Sequence, residues 1–315
     1  MEMIPRSWLF IPGDSEKKLA KADATGADAL ILDLEDSVAP ERKAEGRRLT
    51  RAHLDARPRQ GRAPLLYVRV NALDEGALED LAAVMPAAPD GIMLPKARDA
   101  QDLVHLGRWL DAFEAAHGLE AGSTRIIPVM TETPEAALRL ITFTEVSLPR
   151  VIALTWGAED LSAALGASTN RSPDGRWALV YRIARANLLL AAKAAGVAPI
   201  DTLHADFRDE AGLLAASEEA ATEGFLGRLA IHPAQVAPIN RAFAPSEASV
   251  AHARRSTSPT CARPATCWRC TRRSRPAAEP GQGRPHAAAA PRHGRRPPVG
   301  RISMRRAEFR PRGAP

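Results

Sequence analysis

Residues 125–135 read RIIPVMTETPE, and residues 150–161 read RVIALTWGAEDL. Each stretch begins with a short apolar run and breaks off at an acidic residue, Glu132 in the first and Asp160 in the second. A segment of helical composition follows each acidic residue. In a closed barrel of parallel strands, the carboxyl ends of all strands lie at one rim. The two stretches therefore predict that Glu132 and Asp160 lie at the same rim.

The same alternation of strand and helix continues up to about residue 255. Most of the apolar runs are continuous, as expected of parallel strands buried on both faces. The predicted strands span residues 8–11, 29–34, 65–70, 91–94, 125–131, 151–156, 199–203 and 229–232. Helices are predicted between them, the longest over residues 174–195, and Asp14 is a candidate N-cap for the first. Eight repeats predict an α/β fold, a (β/α)₈ TIM barrel, rather than an open doubly wound sheet. No Gly-x-Gly-x-x-Gly follows the first strand, which also argues against a dinucleotide-binding fold.

Length and charge limit the function classes. The chain has 315 residues, enough for one barrel of about 250 residues. Its net charge of +6 comes from residues 256–315, which hold fourteen Arg, no Lys and two Glu, a formal charge of +12. Residues 1–255 carry −6, so the overall charge does not indicate that this body binds nucleic acid. There is no apolar run of about 18 residues and no signal-peptide pattern, so we expect a cytoplasmic protein without membrane association.

Residues 256–315 differ in composition from the rest. They hold ten Pro and few aliphatic residues, which predicts a largely disordered, atypical C-terminal tail. This tail is either a natural basic segment or the product of a frameshift. One back-translation of residues 265–271 with GC-rich codons, read two nucleotides later, encodes Asp-Leu-Leu-Ala-Leu-His, a better helix. The cysteines, Cys261, Cys267 and Cys270, all lie in the tail. We interpret them as incidental, since Cys267-x-x-Cys270 lacks the second pair of a zinc site.

The two rim carboxylates indicate a metal site. Mg²⁺ binds hard oxygen ligands, uses few protein carboxylates and keeps several waters. We therefore predict that Glu132 and Asp160 bind Mg²⁺ and leave other positions to water and substrate oxygens. The backbone N–H groups from Gly157 and Ala158 onward open a helix, and we expect them to hold a substrate carboxylate.

Other charged residues follow the predicted strands. Arg69 ends the third strand and is a candidate bidentate partner for a carboxylate or an enolate oxygen. Glu35 and Asp36 follow the second strand, and they either orient Arg69 or the metal waters or form a purely structural ion pair. We interpret Lys17 and Lys18 as lysines on a solvated helix face, and His232 as a structural residue that forms hydrogen bonds.

Seven motifs occur in a fixed order along the chain. They are LFIPG at 9–13, LDLEDSV at 32–38, VRVN at 68–71, MLPK at 93–96, ET at 132–133, WGAEDL at 156–161 and IHP at 231–233. In these motifs the sequence resembles the citrate lyase beta subunit-like branch of the HpcH/HpaI aldolase superfamily, whose relatives include malyl-CoA and citramalyl-CoA lyases. The resemblance covers about residues 5–255, and it identifies a family without choosing its substrate.

The resemblance implies a reaction and a ligand set. Glu132 and Asp160 match the family's Mg²⁺ ligands, and Arg69 and Glu132 match positions that contact substrate. The implied reaction is reversible cleavage of a C–C bond in a 3-hydroxyacyl-CoA or related thioester. The metal polarises the 2-oxoacid half, and the acyl-CoA half leaves or attacks as an enolate. The family also implies a homotrimer or a hexamer.

The sequence departs from the family in one respect. Relatives carry a late Gly-x-Met-[Ile/Val]-Asp-x-Pro segment, whose Asp reaches a neighbouring subunit's site as a candidate acid or base. Residues 256–315 lack this segment, and GRISM at 300–304 is no match. Either the reading frame is lost after about Arg255, or the protein lacks that proton-transfer group. Because loss of a general base costs about 10²–10⁴-fold in rate, we expect weak or absent lyase activity.

Three hypotheses follow, in this order. The first is a Mg²⁺-dependent CoA-ester lyase. The second is a catalytically impaired protein of the same fold that binds CoA esters or 2-oxoacids. The third is a basic-tail module that binds nucleic acid or anionic surfaces with strong salt dependence.

Overall fold

The computed structural model describes residues 4–245, which alternate between strands and helices. The strands are β1 (Ser7–Pro12), β2 (Ala29–Asp33), β3 (Leu65–Arg69), β4 (Gly91–Leu94), β5 (Arg125–Met130), β6 (Ala153–Trp156), β7 (Ala198–Asp201) and β8 (Gly227–Ala230). The helices are α1 (Glu16–Leu19), α2 (Lys43–Asp55), α3 (Ala77–Val84), α4 (Ala100–Ala116), α5 (Pro134–Leu138), α6 (Ala158–Ala164), α7 (Leu179–Ala195), α8 (Glu210–Glu223) and α9 (Val236–Ala242). Short 3₁₀ helices span Ala22–Thr25, Pro40–Arg42, Met85–Ala87, Leu140–Thr144 and Pro233–Gln235.

The eight strands form a closed parallel barrel in sequence order. Each strand pairs in parallel with its sequence neighbours, and β1 closes the barrel by pairing with β8. The predicted (β/α)₈ TIM barrel is therefore confirmed. All eight predicted strands are present, with ends that differ from the prediction by no more than two residues.

The barrel interior is filled by side chains from alternate strand positions. Trp8, Ile31, Tyr67 and Ile127 belong to this inner cluster and are fully buried. The Trp8 and Tyr67 rings meet edge to face, with centroids 5.0 Å apart. A Cβ atom on Gly91 would lie 2.3 Å from Cε1 of Tyr67, so only glycine leaves room for this ring.

A second apolar layer lies between the barrel and the surrounding helices. Leu30, Leu66 and Ile92 point outward from their strands into this layer and are fully buried. Burying one such side chain stabilises the fold by about 1.5–3 kcal/mol. Since both faces of each strand are covered, the strands read as continuous apolar runs rather than alternating ones.

Two local predictions are wrong. Asp14 does not cap the first helix: Ser15 holds that position without a side-chain bond, and Asp14 accepts a 2.6 Å hydrogen bond from Nε of Arg42 instead. The charged Arg42 donor is the stronger partner. The helix predicted over residues 174–195 begins at Leu179, because the preceding residues turn back on themselves through an antiparallel bridge between Arg171 and Trp177.

The predicted tail, residues 256–315, lies outside the described residues. Its boundary near residue 255, its disorder and the interpretation of its cysteines stay predictions. Among the helices of residues 4–245, none has the length and the apolar composition needed to cross a membrane.

Candidate active site

The barrel register brings two charged residues together at the carboxyl rim. Ile31 and Tyr67 face the interior of the barrel, and Asp33 and Arg69 lie two positions further along the same strands. Because side chains alternate with period two, Asp33 and Arg69 face the same interior one layer higher. They are also direct partners in the β2–β3 register. An ion pair at the top of the barrel follows from this arrangement.

Asp33 fixes the plane of the Arg69 guanidinium. Nε and Nη2 of Arg69 each donate to one carboxylate oxygen of Asp33 at 2.7 Å, a bidentate pair. The Arg69 guanidinium also lies 4.7 Å from the centre of the Phe10 ring. Burial alone would lower the pKa of Arg69, but the hydrogen bonds and negative charge of Asp33, with the charge of Glu35, raise it. Arg69 is thus a fixed permanent cation.

Glu35 lies between two cations. One carboxylate oxygen is 2.7 Å from Nη1 of Arg69, and the other is 3.0 Å from Nζ of Lys96. Burial raises the pKa of Glu35, and the charge of Arg69 opposes this rise. Asp36 is mostly exposed and lies 3.7 Å from Arg69. The structure thus brings Glu35 and Asp36 to Arg69, which fits both alternatives given for these residues, so their role stays a prediction.

Glu132 follows β5 and is held by unusual backbone on both sides. Thr131, directly before it, has a left-handed φ of +64°, and Lys96, whose N–H donates to the Glu132 carboxylate, has a φ of +52°. Non-glycine residues rarely adopt this conformation, and it concentrates at functional sites. Gly157 lies against the side chain, and a Cβ atom there would be 2.6 Å from Cγ of Glu132. Backbone from three strand ends therefore encloses this one carboxylate.

Asp160 lies in the first turn of α6, directly after β6. Burial raises the pKa of Glu132 well above its usual value, and the negative charge of Asp160 raises it further. The two predicted ligands thus follow the neighbouring strands β5 and β6 at the same rim, where the rim argument predicted them. A divalent cation bound to both would relieve this repulsion, and hard carboxylate oxygens suit Mg²⁺. The residues present therefore fit the predicted metal.

The candidate centre has only these two carboxylates. Among residues 4–245, no group of three or more His, Cys, Asp or Glu side chains is arranged to bind a metal. Two protein ligands suffice for Mg²⁺, which fills its other positions with water and substrate oxygens.

The predicted backbone donors are only partly available. The N–H of Gly157 donates to the carbonyl of Met130 at 3.0 Å, so Gly157 contributes space for Glu132 rather than a donor to a ligand. Ala158 begins α6 directly after it. A substrate carboxylate held by Ala158 and the following N–H groups stays a prediction.

The residues interpreted as structural lie away from these contacts. Lys17 and Lys18 are exposed on α1. Nδ1 of His232 accepts from the N–H of Ala234 at 3.2 Å, and the ring stacks on Phe207 at 4.5 Å. His232 therefore begins the 3₁₀ helix Pro233–Gln235 as a capping residue.

Sequence reasoning gave no role to Asp33 and Lys96, although both lie inside quoted motifs. For Asp33 the available signal was the two-residue period from Ile31, combined with the pairing of β2 and β3. For Lys96 the available signal was its position just after the predicted strand 91–94. Its left-handed backbone gave no signal, because no turn residue such as glycine encodes it.

Known proteins resemble this chain over most of its length. Residues 6–233 match the model of the family described as HpcH/HpaI aldolase/citrate lyase. The citrate lyase subunit beta of Escherichia coli K12 is 37% identical over 251 residues, covering 79% of this chain and 80% of that protein. The (3S)-malyl-CoA thioesterase of Cereibacter sphaeroides KD131 is 36% identical over 253 residues, covering 79% and 81%. The mitochondrial citramalyl-CoA lyase of Mus musculus is 33% identical over 257 residues, covering 76% and 72%.

Solved structures from Mycobacterium tuberculosis share the fold. A citrate lyase beta subunit complexed with oxaloacetate and magnesium is 34% identical, with a TM-score of 0.63, covering 76% of this chain and 96% of that chain. Protein CitE in complex with magnesium, acetoacetate and coenzyme A is also 34% identical, with a TM-score of 0.63, covering 80% and 85%.

Proposed function

The chain belongs to the HpcH/HpaI aldolase/citrate lyase family, and on this basis we propose that it is a Mg²⁺-dependent carbon–carbon lyase. The proposed substrate is the CoA thioester of a hydroxy acid, of the citryl-, malyl- or citramalyl-CoA type, and the products are an acyl-CoA and a 2-oxoacid. The observation that carries the proposal is the buried Glu132, which lies with Asp160 after the neighbouring strands β5 and β6, at the rim where Asp33 holds Arg69. Similar proteins crystallised with magnesium and oxaloacetate, or with magnesium, acetoacetate and coenzyme A, support it.

The reaction defines what the site residues must do. The substrate hydroxyl loses its proton and becomes the carbonyl of the 2-oxoacid as the C–C bond breaks. The bonding electron pair passes to the carbon beside the thioester carbonyl, which then takes up a proton. Mg²⁺ held by Glu132 and Asp160 would polarise the oxygen of the 2-oxoacid half. Arg69, fixed by Asp33, offers a permanent charge to developing oxyanions without reorganising.

The segment whose Asp the family resemblance implies as a candidate acid or base for this proton is missing. Residues 256–315 lack the Gly-x-Met-[Ile/Val]-Asp-x-Pro segment. This observation supports a second candidate function, a catalytically weak protein of the same fold that binds CoA esters or 2-oxoacids.

Turnover separates the two candidates. The purified full chain is assayed with citryl-CoA, malyl-CoA and citramalyl-CoA in the presence of Mg²⁺, beside a frame-restored version if resequencing of the gene reveals a shift. Cleavage of one thioester at an ordinary enzymatic rate supports the lyase and contradicts the expectation of weak activity. Binding without turnover supports the second candidate.

The metal site has its own test. Glu132→Gln and Asp160→Asn each remove one charge, and we expect both to abolish the rise in unfolding temperature that Mg²⁺ produces, because a ligand bound only to the folded state stabilises it. Differential scanning calorimetry with and without Mg²⁺ measures this effect. Asp174→Asn, an exposed carboxylate outside the site, is the matched control. An undiminished Mg²⁺ effect in the first two variants would show that the metal binds elsewhere.

The exposed apolar residues support a proposed homotrimer or hexamer. Leu138 is 85% exposed, Ile141 62% and Leu179 61%. They lie on α5, on the 3₁₀ helix Leu140–Thr144 and on α7, and the last two of these elements pack together. Large exposed apolar side chains on elements that contact one another are candidates for an interface. Sedimentation equilibrium of the purified protein tests this, and a monomer at micromolar concentration would contradict it.

The cytoplasmic location expected from the sequence stays a prediction.

A further inference from the structure

Lys96 contacts the candidate metal centre and the arginine cluster at the same time. Its backbone N–H donates to the Glu132 carboxylate, and its Nζ lies 3.0 Å from Glu35, which itself contacts Arg69. Lys96 makes this double contact from a left-handed backbone, with a φ of +52°. Lys96 therefore joins the two halves of the site.

The ammonium of Lys96 keeps donors available for a ligand. A lysine ammonium has three N–H donors. Within residues 4–245, Glu35 is its one close carboxylate partner, and the carboxylate of Glu75 lies 3.8 Å from Nζ. The Lys96 side chain is 36% exposed, against 12% for Arg69, whose Nε and Nη2 are already bound to Asp33. Lys96 is thus the more accessible cation of the pair.

The charge balance of the rim shows why an accessible cation matters. Together with the two proposed metal ligands, the ion pairs of Arg69 and Lys96 contain two cations and six carboxylates, a formal charge of −4, from Arg69, Lys96, Asp33, Glu35, Asp36, Glu75, Glu132 and Asp160. A bound Mg²⁺ reduces this to −2. An anionic ligand is still repelled by the group as a whole, so its binding depends on a local cation with free donors.

We propose that the ammonium of Lys96 directly binds the carboxylate of the 2-oxoacid held at the Glu132–Asp160 centre. This inference rests on the proposed function, because that function supplies the 2-oxoacid. It makes Lys96 a substrate-binding residue that favours ligands with a free carboxylate beside the reacting carbonyl. Its backbone N–H independently fixes the metal-binding carboxylate.

Calorimetric titration of the full chain tests the proposal, first with Mg²⁺ and then with oxaloacetate at saturating Mg²⁺. In Lys96→Met we expect Mg²⁺ to bind as tightly as in wild type or more tightly, because the substitution removes a positive charge that repels Mg²⁺. Oxaloacetate should bind at least about tenfold more weakly, since a charge-assisted hydrogen bond is lost. Lys96→Arg, which keeps the charge, should retain most of the oxaloacetate affinity.

Two further variants make the result decisive. Lys96→Gly keeps the backbone N–H and tolerates the left-handed φ, so it should behave as Lys96→Met even if a side chain strains the Met variant. Arg98→Met removes an exposed cation two residues away that pairs with Asp102, and it should leave both affinities unchanged. Unchanged oxaloacetate affinity in the Met and Gly variants overturns the proposal. Loss of Mg²⁺ binding and of thermal stability in both variants also overturns it, since Lys96 is then structural.

The same titrations separate this proposal from the proposed function. A wild-type protein that binds oxaloacetate but cleaves no thioester contradicts the lyase, while the Lys96 variants still decide the contact. A protein that cleaves a thioester equally well with Met at position 96 contradicts only the contact. A wild-type protein that does not bind oxaloacetate with Mg²⁺ overturns the Lys96 contact.

Discussion

Gly157 directly follows β6 and has no side chain at the point where the backbone passes Glu132. Its φ of −104° suits any residue, so the requirement for glycine is one of space alone. In Gly157→Ala the new Cβ would lie 2.6 Å from Cγ of Glu132 and force this buried side chain to move. We expect a loss of about 1–3 kcal/mol in the free energy of unfolding and a loss of Mg²⁺ binding. Urea unfolding and Mg²⁺ titration measure the two effects.

The control for this variant is Gly107→Ala. Gly107 lies inside α4, and an added Cβ would approach only Cδ of Arg150, at 4.0 Å. Alanine there should raise the free energy of unfolding by about 0.5–1 kcal/mol, because glycine costs more backbone entropy in a helix. Wild-type Mg²⁺ affinity in Gly157→Ala would mean that Glu132 does not need its present position.

The raised pKa of Glu132 predicts a pH dependence at this one residue. Burial is the main cause and the charge of Asp160 the second, so the folded protein binds this proton more tightly than the unfolded chain does. The free energy of unfolding of the metal-free protein should therefore fall as the pH rises from the unfolded value of about 4.5 through the folded pKa. Mg²⁺ requires the ionised carboxylate, so its affinity should rise over the same range.

Urea unfolding at a series of pH values, with and without Mg²⁺, measures this dependence. Glu132→Gln has no proton to release and should lack this component of the pH profile. The difference between the wild-type and Glu132→Gln profiles gives the contribution of Glu132 alone. Other carboxylates change the free energy of unfolding in the opposite direction: burial would raise the pKa of Asp33, but Arg69 lowers it. Superimposable profiles for the two proteins would exclude the raised pKa.

At the scale of elements, β7, β8 and α7 are joined by a buried charge network. Asp201 at the end of β7 accepts hydrogen bonds from Arg228 on β8 at 2.6 Å, from Arg185 on α7 at 3.1 Å and from the Trp156 indole at 2.8 Å. Asp201→Ala leaves the Arg228 charge buried without its carboxylate. We expect this to cost about 3–5 kcal/mol, measured by urea unfolding. Glu223→Ala removes the solvent-exposed partner of Arg185 and should cost no more than about 1 kcal/mol.

The strands were predictable from sequence, and the geometry of the site was not. A strand buried on both faces produces a continuous apolar run, and this local signal located all eight strands, including β4 with only four residues. The rim positions of Glu132 and Asp160 follow from the barrel topology alone. The left-handed backbone at Lys96 and the contact between Gly157 and Glu132 depend on how strand ends meet in space. Helix α7 was predicted five residues too long because the turn before it has the composition of a helix start.

At the scale of the whole molecule, the charge of the chain is divided sharply along the sequence. Residues 1–255 carry −6 and residues 256–315 carry +12, so one terminal segment determines the sign of the net charge. Deleting residues 256–315 should leave the circular dichroism spectrum of the barrel and its Mg²⁺-dependent stabilisation in place, since the described core ends before residue 246. The same deletion should remove binding to duplex DNA. Basic side chains that contact DNA phosphates release counterions from the DNA, so affinity depends on the number of basic side chains.

DNA affinity of the full chain and of the truncated chain, measured over a range of salt concentrations, checks this prediction. The logarithm of the association constant should fall steeply with the logarithm of salt concentration for the full chain, and the truncated protein should show no measurable binding. The free segment 256–315 is the control, and it should reproduce the salt dependence by itself. Equal DNA affinity with and without the segment would contradict the prediction. The binding would then belong to the acidic barrel, although the negative charge of the barrel repels DNA. Mg²⁺-dependent stabilisation lost on deletion would instead make the segment part of the folded core.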